Sequence, residues 1–209
     1  MPAVAQTRPL PESNRSRTID EHAPRHHEGL RILTLLLAFA VLAVGGDRLL
    51  SYALARLTMA SQMRYARLYR GGMENDVVIL GDSRAVNAFY TPQIEAETGL
   101  QTINLGHNGV STAIAEVLLR DYLAHNRRPR VVVLEITSVL SPSPRVLQNF
   151  QIFAPRSRGL TALLEHHDPE RVRAFDVCHL YRYNSEAMLR TLYHLRRSDQ
   201  DWINRNEIG

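Results

Sequence analysis

Three short apolar segments alternate with helix-like segments between residues 77 and 136. The apolar segments are Val77–Leu80, residues 102–105 and residues 130–136, the last of which contains Val-Val-Val-Leu. Short, predominantly aliphatic segments are typical of parallel strands that are buried on both faces. The order strand, helix, strand, helix, strand therefore predicts an α/β domain whose parallel sheet is covered by helices on both sides.

The helices of this domain are bounded by recognisable start and stop residues. One helix is predicted over residues 91–98 with Gly99 as its stop, and another over residues 111–125. Further helices are predicted over residues 160–166 and 183–197, but no Val/Ile-rich segment follows residue 136. Doubly wound sheets usually have about five strands. Three legible strands therefore predict an α/β domain that is incomplete.

A long apolar run precedes this domain. Residues 32–46 are apolar at every position but one, Leu49 and its neighbours extend the run, and Arg31 and Arg48 flank it. A membrane-spanning helix needs about 20 such residues, and flanking arginines can reach the headgroups. The run is apolar on every face, unlike the core helix of a soluble domain, and the polar segment before it is long for a cleaved signal peptide. An uncleaved signal anchor is therefore predicted.

The chain divides into four predicted regions. Residues 1–29 are a disordered tail, residues 30–50 the transmembrane anchor, residues 51–72 a helical stalk, and residues 73–209 the α/β domain. Arginines are more numerous before the span than directly after it, which favours a cytoplasmic N-terminus. The predicted location is the inner (cytoplasmic) membrane, crossed once, with the globular domain facing the periplasm or the exterior.

Composition excludes several kinds of chemistry. All 25 basic residues are arginines, so a Schiff-base lysine, a Walker lysine and a Ser–Lys dyad are impossible. The net charge is only +4 and the arginines are dispersed, so no nucleic-acid-binding surface is predicted. Cys178 is the only cysteine, which excludes a disulfide within the chain.

The first predicted strand ends in Gly81-Asp82-Ser83. These residue types are common in ordinary strand-to-helix turns and at helix N-caps. Ser83 also follows the carboxyl end of a parallel strand, where α/β sheets place their catalytic groups. Both interpretations of Ser83, a turn residue and a nucleophile, are open at this point.

The chain from about residue 76 to residue 140 resembles the SGNH/GDSL hydrolase superfamily, particularly its membrane-anchored, extracytoplasmic branch. Gly81-Asp82-Ser83 matches the first block of that family, with Ser83 in the position of the nucleophile. Residues 103–109, Ile-Asn-Leu-Gly-His-Asn-Gly, resemble the second block, and Gly109 matches the glycine whose N–H helps to form the oxyanion hole. Residues 130–136 resemble the strand of the third block.

The resemblance implies a three-layer, flavodoxin-like fold and serine-dependent ester chemistry. The implied enzyme is an esterase or acyltransferase acting on acyl groups, such as acetyl, of a cell-envelope polymer. Ser83 would attack the acyl carbonyl, and the N–H groups of Ser83 and Gly109 would hold the oxyanion. That mechanism requires no metal and no organic cofactor. The implied partners are the membrane, an acylated glycan or another ester substrate, and envelope proteins.

Two departures from the family pattern leave alternatives open. The third block normally carries an asparagine after its strand, where this chain has Thr137 and Ser138. Asp176 and His179 have the spacing of the family's Asp-x-x-His pair but lack a strand before them. Either they are the catalytic acid and base, or the functional pair lies beyond Gly209. The alternative function is a catalytically degenerate scaffold or assembly partner in an envelope polysaccharide complex.

Two further polar residues lie near these blocks. His107 is interpreted as a loop residue rather than a second base. Glu135, among the valines of the third strand, either is neutralised by a partner or faces the site.

Overall fold

The structure, a computed structural model, describes residues 25–136 and 141–197. Most of the predicted tail, together with Thr137 and Ser138, lies outside these residues. The strands are β1 (Val77–Leu80), β2 (Thr102–Asn104) and β3 (Val131–Leu134), and two 3₁₀ helices cover Ala154–Arg156 and His179–Tyr183. The α-helices are α1 (Arg25–Ala60), α2 (Arg64–Arg70), α3 (Ser83–Ala88), α4 (Thr91–Thr98), α5 (Thr112–His125), α6 (Pro144–Gln148), α7 (Arg158–His167), α8 (Pro169–Val177) and α9 (Glu186–Tyr193).

Contacts divide the chain into two units, residues 1–41 and residues 42–209. The described part of the first unit is the beginning of α1, whose large apolar side chains, such as Leu35 and Phe39, are exposed. Over Glu28–Ala60 this helix is long and apolar enough to cross a membrane. The prediction of an apolar N-terminal helix with this capacity is confirmed.

The second unit contains a three-stranded parallel sheet with the order β2-β1-β3. Val77 of β1 lies opposite Thr102 of β2 and Val131 of β3. The mixed α/β character and the parallel sheet predicted from the alternating apolar segments are therefore confirmed. Because β1 has a neighbour on each side and helices on both faces, all four of its residues are buried.

The two faces of β1 contribute to two separate apolar clusters. Val78 and Leu80 pack in the main core, which includes residues of α2, α5 and α7. Val77 and Ile79 point the opposite way and pack with Ala85 of α3, next to the partly buried Ile94 of α4. This alternation is the expected result of a strand's two-residue period.

Strand β3 differs from its prediction. A third buried strand was expected, but Val131, Val132 and Leu134 are between 42% and 45% exposed. Strand β3 has β1 as its only neighbour among the described strands, so one edge and part of each face remain open to solvent. The expectation that helices cover the whole sheet is wrong at this edge.

The predicted stalk and the last predicted helix also differ from the structure. The stalk residues 51–72 include α2, whose Tyr65 and Leu68 are buried in the main core. The globular unit therefore begins before residue 73, because an amphipathic helix with large apolar residues gains more from burial than from standing free. The helix expected over residues 183–197 is shorter and covers Glu186–Tyr193.

Candidate functional site

The carboxyl ends of β1 and β2 bring the two sequence motifs together. The Ile79 carbonyl accepts a hydrogen bond from the Leu105 N–H at 2.8 Å, and the Gly81 carbonyl accepts one from the His107 N–H at 3.0 Å. Helix α3 begins with Ser83, two residues after Gly81. Ser83 and the loop that contains Gly109 are thus at the same end of the sheet.

Only glycine fits at residue 81, because Glu135, which follows β3, and Ala85 of α3 lie too close for a side chain. The φ of Gly81 is +142°, and a Cβ added there would lie 2.5 Å from Glu135 Cβ and 2.9 Å from Ala85 Cβ. The Glu135 N–H donates to the Leu80 carbonyl at 2.9 Å. The sequence left the position of Glu135 open, and the structure packs it directly against the Gly81 turn.

Asn104 and Tyr65 hold the second loop in place. The Asn104 amide donates to the Ala85 carbonyl at 2.7 Å and accepts from the Gly106 N–H at 2.9 Å. The Tyr65 hydroxyl lies 3.2 Å from the Leu105 carbonyl and 3.0 Å from the Gly106 carbonyl, to which it donates. The amide of Asn104 among apolar strand residues was a sequence signal for a positioning role. No residue near Tyr65 in the sequence indicated that its hydroxyl would contact a carbonyl 40 residues away.

Ser83 is the first residue of α3, and Gly109 lies in the second loop. Asp82 caps α3 by accepting from the Arg84 N–H at 2.9 Å, and Ser83 follows it half-buried. Gly109 is exposed with a φ of +76°, a conformation that favours glycine. Neither the Ser83 hydroxyl nor the Gly109 N–H has a hydrogen-bond partner in the part of the chain that the structure describes.

His107 is held as a neutral imidazole in the second loop. Its Nδ1 lies 2.9 Å from the Asn108 carbonyl. A carbonyl only accepts, so Nδ1 carries the hydrogen and Nε2 keeps its lone pair. Burial, assisted by the positive charge of Arg64, lowers the pKa of His107 to about 4. The side chain is therefore a hydrogen-bond acceptor at neutral pH but a weak base.

A small cavity of about 60 Å³ lies beside α3. Val86 of α3 lines it together with His107 and Asn108 of the second loop, and the arginines Arg64 and Arg190 also contribute. A water molecule needs roughly 10–15 Å³ of such space, so the cavity can hold a few waters or a group of a few heavy atoms. Both polar and apolar side chains line it.

The predicted acid–base pair makes its contacts elsewhere, with α1. Asp47 accepts the backbone N–H of His179 at 3.0 Å, and Arg48 donates to the backbone carbonyl of Asp176 at 3.2 Å. Across residues 25–136 and 141–197, no hydrogen bond joins Asp176 or His179 to Ser83. The structure therefore places Ser83 and the loop that contains Gly109 at one end of the sheet. The catalytic role of Asp176 and His179 stays a prediction.

No protein-family model, curated protein or solved structure matches this chain.

Proposed function

We propose that this protein is a membrane-anchored, serine-dependent ester hydrolase or acyltransferase of the SGNH type. Its substrates in this proposal are acyl groups, such as acetyl, of a cell-envelope polymer. The observation that carries the proposal is the juxtaposition of Ser83 and the Gly109 loop, which the Gly81–His107 hydrogen bond fixes at one end of the sheet. Parallel α/β sheets place their chemistry at this end.

The strand order supports the fold part of the proposal. The order β2-β1-β3 is the order in which flavodoxin-like doubly wound sheets begin. Helices pack on both faces of the central strand β1, as a three-layer domain requires. Strand β3 would be the point at which a larger sheet continues, because it has an open edge among the described strands.

In the proposed reaction, Ser83 Oγ attacks the acyl carbonyl carbon and loses its proton to a base. The tetrahedral oxyanion accepts hydrogen bonds from the Ser83 and Gly109 N–H groups, each of which is worth about 10²–10³ in rate. The ester C–O bond then breaks, and the alcohol leaves with the proton that the base returns. Attack of water on the acyl-serine gives hydrolysis, and attack of a second hydroxyl gives acyl transfer.

The base is assigned to a histidine other than His107. A pKa near 4 makes His107 a poor proton acceptor at neutral pH. Asp176 and His179 keep the Asp-x-x-His spacing of the family that the chain resembles. Their contacts with α1 involve backbone groups on both residues, so these contacts do not occupy the His179 imidazole.

The location proposed for this chemistry follows from α1. The helix anchors the chain in the inner membrane, and the excess of arginines before its apolar run favours a domain on the periplasmic or outer side. A substrate in the cell envelope fits that side of the membrane.

One observation favours a second candidate, a non-catalytic scaffold in an envelope polysaccharide complex. The Ser83 hydroxyl has no hydrogen bond to a histidine or a carboxylate within the described part of the chain. A serine without such a partner is a poor nucleophile. The scaffold would keep the fold and the membrane anchor but would turn over no ester.

An assay of aryl acetate hydrolysis by the full chain in detergent micelles distinguishes the two candidates, because they predict different rates. The enzyme proposal expects turnover that falls at least about 10³-fold in Ser83→Ala, because the nucleophile is lost. Ser141→Ala, at an exposed serine outside the site, is the matched control and should retain the wild-type rate. Equal rates for wild type and Ser83→Ala would contradict the enzyme proposal and support the scaffold.

A further inference from the structure

Helix α8 ends at an exposed valine. Val177, its last residue, is 83% exposed, and the chain turns at Cys178 into the 3₁₀ helix His179–Tyr183. A single exposed valine is ordinary on a protein surface. This one is unusual because hydrogen bonds fix the chain on either side of it to Asp47 and Arg48 of α1. The next residue of α1, Leu49, has an exposed apolar side chain.

Two consecutive residues of α1, Asp47 and Arg48, make these contacts. Asp47 Oδ2 accepts the His179 N–H at 3.0 Å, and Asp47 Oδ1 accepts the Leu180 N–H at 2.9 Å and the Cys178 thiol at 3.3 Å. Arg48 donates to the Asp176 carbonyl at 3.2 Å. The corner formed by residues 176–180 is thus clamped on both sides of Val177. Asp47 directly follows the apolar run 32–46 in the chain.

Asp47 is placed where the apolar run meets polar surroundings. A carboxylate at the end of a membrane span is costly unless hydrogen bonds satisfy it, and the corner supplies those donors. Tyr52 and Arg56 follow on the same helix, with the guanidinium 5.8 Å from the ring centre. Tyrosine and arginine are the side chains that membrane interfaces favour. These residue types favour a lipid boundary on α1 between Asp47 and Arg56.

We infer that the corner of residues 176–180 is a second membrane contact of this protein. It lies in the headgroup region of the phospholipid bilayer that α1 enters, with the Val177 side chain directed into the lipid. The occupant of this surface is lipid because the corner is fixed to α1 at the residue where the exposed apolar run ends. The inference rests on membrane insertion of α1 and is independent of ester chemistry at Ser83.

The single cysteine of the chain gives a direct test. A fluorophore is attached at the corner by Val177→Cys in a Cys178→Ser background, and the full chain is reconstituted in phosphatidylcholine–phosphatidylglycerol vesicles. The matched control carries the label by Ala96→Cys, an exposed position on α4, in the same background. Quenching is measured with lipids that carry a nitroxide near the headgroup and with a water-soluble quencher.

The Val177 label should be quenched several-fold more by the headgroup nitroxide than the Ala96 label, and several-fold less by the aqueous quencher. Adding Asp47→Ala should move the Val177 label toward the values of the control, because the clamp loses its acceptor. Equal quenching of the two labels would overturn the inference, as would release of the chain from the vesicles by alkaline carbonate. Ser83→Ala should leave the quenching unchanged, which separates this result from the enzyme proposal.

Discussion

Mild acid should destabilise this protein through His107. The ordinary pKa of histidine is 6.5, and burial together with the charge of Arg64 lowers the pKa of His107 to about 4 in the folded state. Between these two values the unfolded chain binds more protons than the folded one. The contribution to stability is therefore complete above about pH 6.5 and is lost as the pH falls toward 4.

The size of this effect follows from the two pKa values. A difference of about 2.5 between the two pKa values corresponds to about 3 kcal/mol of unfolding free energy, lost in full once the pH is below both values. The part already lost at about pH 4.5 is about 2–3 kcal/mol, since nearly all unfolded chains but only a minority of folded ones would carry the proton there. A loss of this size is a large fraction of the stability of an ordinary domain.

The assay compares wild type with His107→Gln in detergent micelles. Glutamine keeps a polar side chain but does not titrate. Between about pH 7.5 and pH 4.5 the free energy of unfolding of the variant should therefore fall by about 2–3 kcal/mol less than that of the wild type. A histidine NMR titration of the full chain, with the His107 signal assigned by its loss in the variant, gives the pKa directly. A midpoint near 6.5, or the same pH dependence in both proteins, would refute the reasoning.

Three further predictions concern the packing around the site, each read as a free energy of unfolding by chemical denaturation. Gly81→Ala should cost more than about 3 kcal/mol, whereas Gly99→Ala should cost only about 1 kcal/mol, because both have positive φ but only Gly81 has a Cβ contact at 2.5 Å; equal costs would contradict this. Leu80→Ala should cost about 2–5 kcal/mol and Leu134→Ala about 1 kcal/mol or less, because Leu80 is buried and Leu134 is partly exposed; similar losses would mean that β3 is covered. Tyr65→Phe should cost about 1 kcal/mol and lower any Ser83-dependent turnover, because the second loop loses its donor; unchanged turnover and stability would argue against that role.

Local patterns in the sequence were sufficient for the central part of the fold. The four apolar residues of β1 and the glycine stop of α4 are each encoded within a few neighbouring residues. Ser111 likewise caps α5 by accepting from the Ile114 N–H. The parallel pairing of β1 with β2 follows from the helical connection between them. This is why the Ser83 and Gly109 motifs could be expected at one end of the sheet.

Features that depend on distant contacts could not be predicted in the same way. Strand β3 has a fully apolar sequence, and its exposure results from its position at the edge rather than from its residues. The burial of α2 and the Tyr65 hydrogen bonds join residues about 40 positions apart. The spacing of Asp176 and His179 suggested a catalytic pair, but spacing alone did not indicate their backbone contacts with α1.

Covalent labelling of the full chain by a fluorophosphonate tests the central claim most directly, because the reagent modifies only a serine activated for nucleophilic attack. The account predicts a single adduct, located at Ser83 by tandem mass spectrometry and absent in Ser83→Ala. Preincubation with an aryl acetate should slow the labelling. An intact, folded protein that forms no adduct at Ser83 would contradict the account.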